Sequence, residues 1–363
     1  MKKVILILTL ALAVFVVSGC KQKAESEVNQ KPIVKIGVIC PLTGNLAFYG
    51  TDLRDGILLA QKELGKNTKF DYQLIFEDDE FDTKKTALAV QKLINVNKVD
   101  CLVTMFSNAG LMINPMAEQN KIIHFGIAYD PQVAAGFYNF NHWAHISQQV
   151  EVAIKHLTAL PCKKVGILAL NEKGDLAAMN EFKKQLESTD KTLVFEELFN
   201  PGERDFRSLL MKAKESGAEI FFVVVVQPEL DILMKQMRDL GMQNTVFSLN
   251  DFRTIQTISL YEGAFYADRD EPTSDFSQKF ESQYQHAPGL LAPNGFDIVN
   301  LIVAAYEKAS TSSQPTTEAV VNLILASPNF DGALGKTTID SEGVLSSPFI
   351  LKEIKNGERI ILK

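Results

Sequence analysis

Two clusters of residues in the sequence have side chains that could bind a metal ion. His142 and His145 are three positions apart, a spacing that suits one face of a helix, but the segment around them has an extended pattern and offers no third ligand. Asp78, Asp79 and Glu80 could attract calcium, yet three carboxylates at a strand end without further oxygen ligands are more typical of a solvated turn. We therefore predict no metal site and no cofactor.

The sequence lacks the motifs of the common catalytic sites. It contains no Gly-x-Ser-x-Gly turn, no His-Glu-x-x-His motif, no Walker loop and no Gly-x-Gly-x-x-Gly after a strand. Each of these motifs positions a nucleophile, a metal or a phosphate, so their absence argues against catalysis. We predict that the protein is not an enzyme. The alternative is an extracytoplasmic enzyme, and turnover of a bound compound would support it.

The amino terminus has the parts of a secretory signal peptide. Met1 and two lysines precede an apolar run over 4–17, and small residues then lead to Cys20. The run is shorter than the roughly 20 apolar residues of a membrane-spanning helix. Its end is similar to the bacterial lipobox, in which cleavage before the cysteine is coupled to acylation. We predict a signal peptide over 1–19 and a lipid anchor on Cys20; an uncleaved anchor or a plain signal peptide is the alternative.

The chain after the signal peptide begins with a polar segment and has no basic stripe. Residues 20–32 have no periodic apolar face, which predicts a flexible tether. The formal net charge of the whole sequence is −7, and no run of Lys and Arg follows the signal peptide. This charge argues against nucleic acid as a partner and against broad contact with anionic lipid. We therefore expect a membrane contact through the lipid anchor only, on the periplasmic or cell-surface face of a bacterial membrane.

The remaining cysteines predict free thiols. Cys40, Cys101 and Cys162 are odd in number and widely spaced, so at most two could pair. Cys40 lies near the carboxyl end of a predicted strand and Cys101 near the start of its expected neighbour, an offset of more than about 10 Å at about 3.3 Å per residue. A disulfide requires Cα atoms within about 7 Å. We therefore predict three free cysteines in addition to Cys20.

Apolar strand patterns alternate with helical periodicity along the chain, which is typical of parallel sheets flanked by helices. The alternation restarts near residue 148, and the run Phe221 to Val226 is continuously apolar, as expected of a strand covered on both faces. The pattern predicts an α/β fold with two doubly wound, Rossmann-like lobes. The predicted strands are 33–40, 72–77, 100–106, 122–126, 164–170, 192–198, 219–226, 245–248, 336–339, 349–355 and 359–362. The predicted helices are 50–64, 83–96 with Asp82 as N-cap, 111–119, 148–160, 176–187, 206–216, 228–240, 273–285, 294–310 and 317–326.

Short segments spread over nearly the whole mature chain resemble the leucine/isoleucine/valine-binding family of type I periplasmic binding proteins, which serve ABC importers. They match that family in order and approximate spacing. The segments are Gly37-Val38-Ile39-Cys40-Pro41-Leu42-Thr43-Gly44, Tyr49-Gly50, Gly56, Glu77-Asp78-Asp79, Gly202-Glu203-Arg204-Asp205-Phe206, Gln227-Pro228-Glu229, Phe330-Asp331-Gly332-Ala333-Leu334-Gly335, Asp340 and Gly343.

The resemblance implies two lobes joined by three hinge crossings, with a small-molecule ligand held in the cleft between them. By the family's pattern, lobe 1 holds 33–146 plus 274–334, and lobe 2 holds 147–273 plus 335–363. The implied function is capture of a small polar ligand, such as an amino acid or an amide, by hinge closure and its delivery to the permease subunits of an ABC importer. We expect a monomer. The alternative is a ligand-sensing module of the same fold, coupled to a separate membrane receptor.

The resemblance also implies which residues line the cleft. Ser107 matches a serine whose hydroxyl and backbone N–H receive the ligand carboxylate at a helix N-terminus, although it could merely cap its helix. Ala128 matches a backbone contact to the head group, and Tyr49 matches an aromatic cleft residue that could equally be ordinary packing. Asp251 falls where the family has an acidic residue for the ligand ammonium, but a loop aspartate can also be a turn former.

Four departures from the family pattern leave the ligand open. Asp130 stands where a threonine is common, and its carboxylate would repel a ligand carboxylate unless it turns outward. Lys173 replaces a lobe-2 tyrosine, and Val226 occupies a position that is often aromatic or polar. The positions that often form a disulfide in the family are occupied by Glu80 and Phe106, so that crosslink is absent.

Overall fold

The computed structural model describes residues 31–65, 67–310, 314–327 and 329–362. The predicted signal peptide, Cys20 and nearly all of the predicted tether lie outside these residues and stay predictions. The described residues form two α/β lobes, which confirms the predicted fold class. Within this part of the chain, no helix has the length and apolar character needed to cross a membrane.

Fifteen strands and ten α-helices follow one another along the described chain. The strands are β1 (Ile33–Cys40), β2 (Asp71–Asp78), β3 (Cys101–Met105), β4 (Ile123–Ile127), β5 (Asn139–Ala144), β6 (Lys164–Leu170), β7 (Thr192–Phe199), β8 (Ile220–Val224), β9 (Thr245–Ser248), β10 (Phe265–Arg269), β11 (Asn329–Gly332), β12 (Gly335–Ile339), β13 (Val344–Ser346), β14 (Phe349–Lys355) and β15 (Glu358–Leu362). The helices are α1 (Ala47–Glu63), α2 (Thr83–Lys92), α3 (Ser107–Asn120), α4 (Ile146–Ala159), α5 (Lys173–Leu186), α6 (Arg207–Glu215), α7 (Glu229–Asp239), α8 (Ser274–Tyr284), α9 (Ala292–Ala309) and α10 (Thr317–Ala326).

Each lobe is built on one mixed sheet. The first sheet has the strand order β11-β12-β13-β5-β4-β3-β1-β2, and the second has the order β15-β14-β10-β9-β8-β6-β7. The neighbours from β2 to β5 pair in parallel, as do the neighbours from β7 to β10. Their carboxyl ends therefore lie along one edge of each sheet, where loops and helix N-termini form binding sites in folds of this kind.

Strand β8 shows why the most apolar run of the sequence lies at the centre of the second sheet. All five of its residues are buried. Phe221 and Val223 belong to one hydrophobic cluster, whereas Phe222 and Val224 belong to another. Since successive side chains in a strand point to opposite faces, both faces of β8 are covered by helices.

Local signals in the sequence account for some helix starts but not for others. Asp82 caps α2, as predicted, because its side chain accepts hydrogen bonds from the N–H groups of Lys84 and Lys85. Helix α3 begins at Ser107, four residues earlier than the predicted start. Phe106, with φ of 69°, makes the sharp turn between β3 and α3.

The third crossing between the lobes lies later than predicted. Strands β12 and β13 belong to the first sheet, so the assignment of all of 335–363 to lobe 2 is wrong for 335–346. Strand β12 pairs with β11 and β13 pairs with β5, which extends the first sheet by an antiparallel edge before the chain crosses to β14. The other two crossings fall between β5 and α4 and between β10 and α8.

The structure also bears out the prediction of free cysteines for the residues that it describes. Cys40, Cys101 and Cys162 are unpaired. Ile36 lies opposite Cys101 in the β1–β3 register, so Cys40 is four positions further along its strand. At about 3.3 Å per residue this offset is about 13 Å, beyond the reach of a disulfide.

Candidate ligand-binding site

A cavity of about 80 Å³ lies between the two lobes, at the carboxyl ends of the parallel strands. Lobe 1 contributes residues from the loops after β3 and β4, and lobe 2 contributes residues from the loops after β6 and β9. Its polar lining residues are Ser107, Asn108, Glu172, Asp175, Asn250 and Asp251. Its apolar lining residues are Tyr49, Phe81, Phe106, Ile127, Ala128, Tyr129, Trp143, Leu170, Val226, Leu290 and Leu291.

Ser107 lies where β3 passes into α3. It is the first residue of the helix, and its buried hydroxyl accepts a hydrogen bond from the backbone N–H of Asp130 at 3.2 Å. The first N–H groups of an α-helix have no intrahelical acceptor, so they favour an oxygen ligand at this end. Across the cleft, a Cβ added to Gly174 would lie 2.9 Å from the Ser107 hydroxyl, so α5 of lobe 2 begins directly opposite α3. A glycine permits this close approach.

Asp251 lies on the lobe-2 side, in the short 3₁₀ helix Asn250–Thr254 that follows β9. Its carboxylate is 3 % exposed and accepts a hydrogen bond from the Ser248 hydroxyl at 3.1 Å. The Tyr129 hydroxyl of lobe 1 lies 2.8 Å from Asn250 Oδ1 and 3.2 Å from Asp251 Oδ1. Burial raises the pKa of Asp251 to about 7, although both hydroxyl contacts oppose this rise.

Asp175 is a second buried carboxylate in the same cavity. It lies in the first turn of α5 and is 6 % exposed. Its Oδ1 has no hydrogen-bond partner among the described residues. Burial raises the pKa of Asp175 well above its ordinary value, and the negative charges of Asp251 and Glu172 raise it further.

Aromatic side chains form much of the apolar wall. The ring of Phe106 packs edge-on against Tyr49 at 5.7 Å and against Phe81 at 5.0 Å. Tyr129 packs edge-on against Trp143, with ring centroids 5.9 Å apart. Such a wall excludes water and strengthens the electrostatic interactions of the polar groups beside it.

Hydrogen bonds between side chains of the two lobes show that the cleft is closed. The Tyr49 hydroxyl lies 3.3 Å from the Thr254 hydroxyl, in addition to the contacts of Tyr129. The side-chain amide of Asn108 donates to the carboxylate of Glu172 on the other lobe. These contacts join residues of different lobes, so they would break if the lobes moved apart.

Five of the seven residues that the resemblance suggested line the cavity: Tyr49, Ser107, Ala128, Val226 and Asp251. The other two, Asp130 and Lys173, do not line it, which corrects their predicted place in the cleft. The Asp130 carboxylate accepts a hydrogen bond from the N–H of Gln132 at 2.9 Å and so caps its own turn. Lys173 is exposed, and only its backbone N–H reaches the cleft, where it donates to Asn108 Oδ1 at 3.2 Å.

Sequence reasoning missed Asn108, Glu172, Asp175 and Asn250. A signal for Asp175 was available, because an acidic residue in the first turn of the helix after β6 lies at the carboxyl edge of the sheet. Nothing in the sequence showed that its carboxylate would be buried beside Asp251. That proximity arises only from the tertiary fold, which brings the start of α5 and the loop after β9 to the same cavity.

The histidines considered as metal ligands have separate structural partners. His142 lies on β5, where its side chain is 3.1 Å from Asn294 Nδ2, and burial lowers its pKa to about 3. His145 Nε2 lies 2.7 Å from the Asp340 carboxylate. No group of three or more His, Cys, Asp or Glu side chains within the described ranges is arranged to hold a metal ion.

The fold and the cavity define a two-lobed α/β binding protein with a small cavity between its lobes. The chain belongs to the leucine/isoleucine/valine-binding-like family of type I periplasmic binding proteins, because the periplasmic binding protein family model matches residues 33–359. This confirms the resemblance seen in the sequence. Proteins of this family are extracytoplasmic, and its members are solute-binding proteins rather than enzymes.

Two relatives show the breadth of the match. The chain is 25 % identical over 334 residues to Leu/Ile/Val-binding protein homolog 3 of Brucella melitensis. The matched region covers 87 % of this chain and 89 % of that protein. It is 22 % identical over 333 residues to the leucine-, isoleucine-, valine-, threonine- and alanine-binding protein of Pseudomonas aeruginosa, covering 86 % of this chain and 87 % of the relative.

Solved structures share the fold at low sequence identity. The leucine-binding protein LivK of Thermotoga maritima has a TM-score of 0.82 at 22 % identity, covering 91 % of this chain and 98 % of the other. A solute-binding protein of an ABC transporter from Rhodopseudomonas palustris, solved with benzoate, has a TM-score of 0.82 at 17 % identity and covers 91 % and 95 %. Ligands as different as amino acids and benzoate thus occur on this scaffold.

Proposed function

We propose that the protein is an extracytoplasmic, lipid-anchored solute-binding protein that captures a small polar ligand by hinge closure and delivers it to an ABC importer. The observation that carries this proposal is the cavity between the lobes, lined by polar groups from both. Ser107 of lobe 1 and Asp251 of lobe 2 belong to the same lining. A ligand that contacts both groups gains interactions in the closed form that it cannot make with either lobe alone, and this difference drives closure.

The lipid anchor rests on the sequence around Cys20. Two or three acyl chains bind a bilayer stably, since each buried methylene contributes about 0.8 kcal/mol. Delivery to an importer is supported by the similar solved structures, which include solute-binding proteins of ABC transporters. Monomeric function is part of the proposal, because one chain supplies both walls of the cavity.

Binding can be measured through Trp143, the only tryptophan of the sequence and a lining residue of the cavity. The full chain in detergent is titrated with amino acids, amino-acid amides, polyamines and aromatic acids while tryptophan fluorescence and melting temperature are recorded. A ligand should change the fluorescence, raise the melting temperature and reduce the radius of gyration in X-ray scattering. If no compound in this set changes any of the three signals, the proposed function is wrong.

A further inference from the structure

Two lining residues of the cavity each carry a buried polar atom that lacks a partner among the described residues. These atoms are Oδ1 of Asp175, an acceptor when ionised, and Nε1 of Trp143, a donor. Buried polar atoms in native proteins are nearly always hydrogen-bonded, because an unsatisfied one keeps its full desolvation cost. A ligand with a donor for Asp175 and an oxygen acceptor for Trp143 would satisfy both atoms.

The charged side chains that line the cavity are all acidic. Asp175, Asp251 and Glu172 line the cavity, and none of the lining residues is Lys, Arg or His. The guanidinium of Arg269 does not line the cavity but stacks on Trp143, with its carbon 4.8 Å from the ring centroid, and donates to the carbonyl of Leu290. A cationic ligand group would stabilise the ionised form of these carboxyl groups, whereas an anionic group would meet no cationic side chain in the lining.

Two backbone N–H groups beside the Ser107 hydroxyl are already used inside the protein. The backbone N–H of Ala128 donates to Asn141 Oδ1 at 3.1 Å, and the Asn141 amide returns a hydrogen bond to the Ala128 carbonyl at 2.9 Å. The backbone N–H of Asp130 donates to the Ser107 hydroxyl at 3.2 Å. The Ser107 hydroxyl, the first N–H groups of α3 and the Trp143 indole remain as donors for a ligand oxygen, and an uncharged oxygen binds to them without the repulsion that the acidic lining exerts on a carboxylate.

We propose that Asp175 and Asp251 together bind the amine of a ligand that carries a net positive charge and whose second polar group is an uncharged oxygen. An amino-acid amide has this chemistry, whereas a free α-amino acid adds a carboxylate that the acidic lining repels. The inference rests on the proposed function, since it names the ligand class of the same cavity. It makes Asp175 a specificity-determining residue alongside Asp251.

Valine and valinamide form a suitable pair of probes, because they have the same size and differ in charge. They are small enough for a cavity of about 80 Å³, which accommodates roughly five to eight water-sized groups. Dissociation constants are measured by Trp143 fluorescence and calorimetry for the wild type, Asp175→Asn and the control Asp130→Asn. The control removes the carboxylate of Asp130. The backbone of this residue contacts Ser107, but the residue does not line the cavity.

The wild type should bind valinamide at least about tenfold more tightly than valine. Asp175→Asn should reduce this preference about ten- to hundredfold, as expected for loss of a charge-assisted hydrogen bond. Asp130→Asn should change it by less than about threefold. Equal or tighter binding of valine by the wild type, or an unchanged preference in Asp175→Asn, would overturn the inference. If Asp175→Asn does not fold, the preference of the wild type for valinamide over valine alone decides whether the inference holds.

Failure of this inference is distinguishable from failure of the proposed function. If neither valine nor valinamide binds at millimolar concentration while another compound changes Trp143 fluorescence and closes the lobes, the charge assignment is wrong and the function stands. If no compound in the wider set closes the lobes, both are wrong.

Discussion

Ligand binding should depend on pH through the carboxylate of Asp251. In the closed cleft its pKa is about 7, because burial disfavours the charged form. A protonated amine pairs with the ionised carboxylate, so binding of valinamide below pH 7 requires Asp251 to lose a proton. The affinity should therefore fall as the pH is lowered.

The size of the effect follows from the ionised fraction of Asp251. With a pKa of about 7, about half of the protein carries the charge at pH 7 and about 1 % at pH 5. Valinamide should thus bind about 50-fold more weakly at pH 5, a loss of about 2 kcal/mol. Protonation of Asp175, whose pKa is also raised, adds to this loss as the pH falls. Tyr49 and Tyr129 line the cavity too, but they stay neutral throughout this pH range.

The assay is calorimetry of valinamide binding at pH 5, 6 and 7, in buffers of different ionisation enthalpy so that proton release is counted directly. Asp251→Asn should bind more weakly at pH 7 and show a smaller pH dependence than the wild type, because only Asp175 then titrates against the amine. Asp130→Asn, whose carboxylate does not line the cavity, should keep the wild-type slope. An affinity of the wild type that is equal at pH 5 and pH 7, with no proton released, would refute the reasoning about Asp251.

Four further predictions follow from the same structure and sequence. Ser107→Ala removes a hydroxyl next to an uncharged ligand oxygen, so calorimetry should show a loss of only about 0.5–1.5 kcal/mol, smaller than that of Asp251→Asn; a larger loss would indicate a carboxylate at Ser107. Asp175→Asn should raise the free energy of unfolding of the ligand-free protein at pH 7 by roughly 1–3 kcal/mol. Because the pKa of Asp175 is raised in the folded state, the free energy of unfolding of the wild type should fall relative to that of Asp175→Asn as the pH rises above about 4. If urea unfolding gives the same pH dependence of this free energy for both proteins, the argument is contradicted. Thiol titration of the denatured, unreduced protein should find three free cysteines after Cys20, whereas a Cys40–Cys101 peptide would contradict the β1–β3 register. Wild-type protein should incorporate labelled palmitate and partition into detergent, and Cys20→Ala should do neither; equal behaviour of the two would remove the lipid anchor.

The sequence alone was enough to predict the fold because its signals are local and repeated. Strand β9 has the predicted bounds, and the run through β8 identified a strand buried on both faces. Asp82 was recognised as an N-cap because the capping hydrogen bonds join residues only two or three positions apart. Where the deciding interactions were not local, prediction failed: β12 and β13 joined the first sheet through pairing with β11 and β5.

The sequence placed Ser107 and Asp251 at the ends of strands, and the order of strands and helices determined that these ends face a common cleft. The tertiary structure alone decided which neighbours share that cleft. It buried Asp175 beside Asp251 and turned the Asp130 carboxylate toward its own 3₁₀ turn. Burial and orientation depend on contacts between residues far apart in the chain, and the pKa of a carboxylate depends on both. The chemical character of the cavity therefore became apparent only in the folded protein.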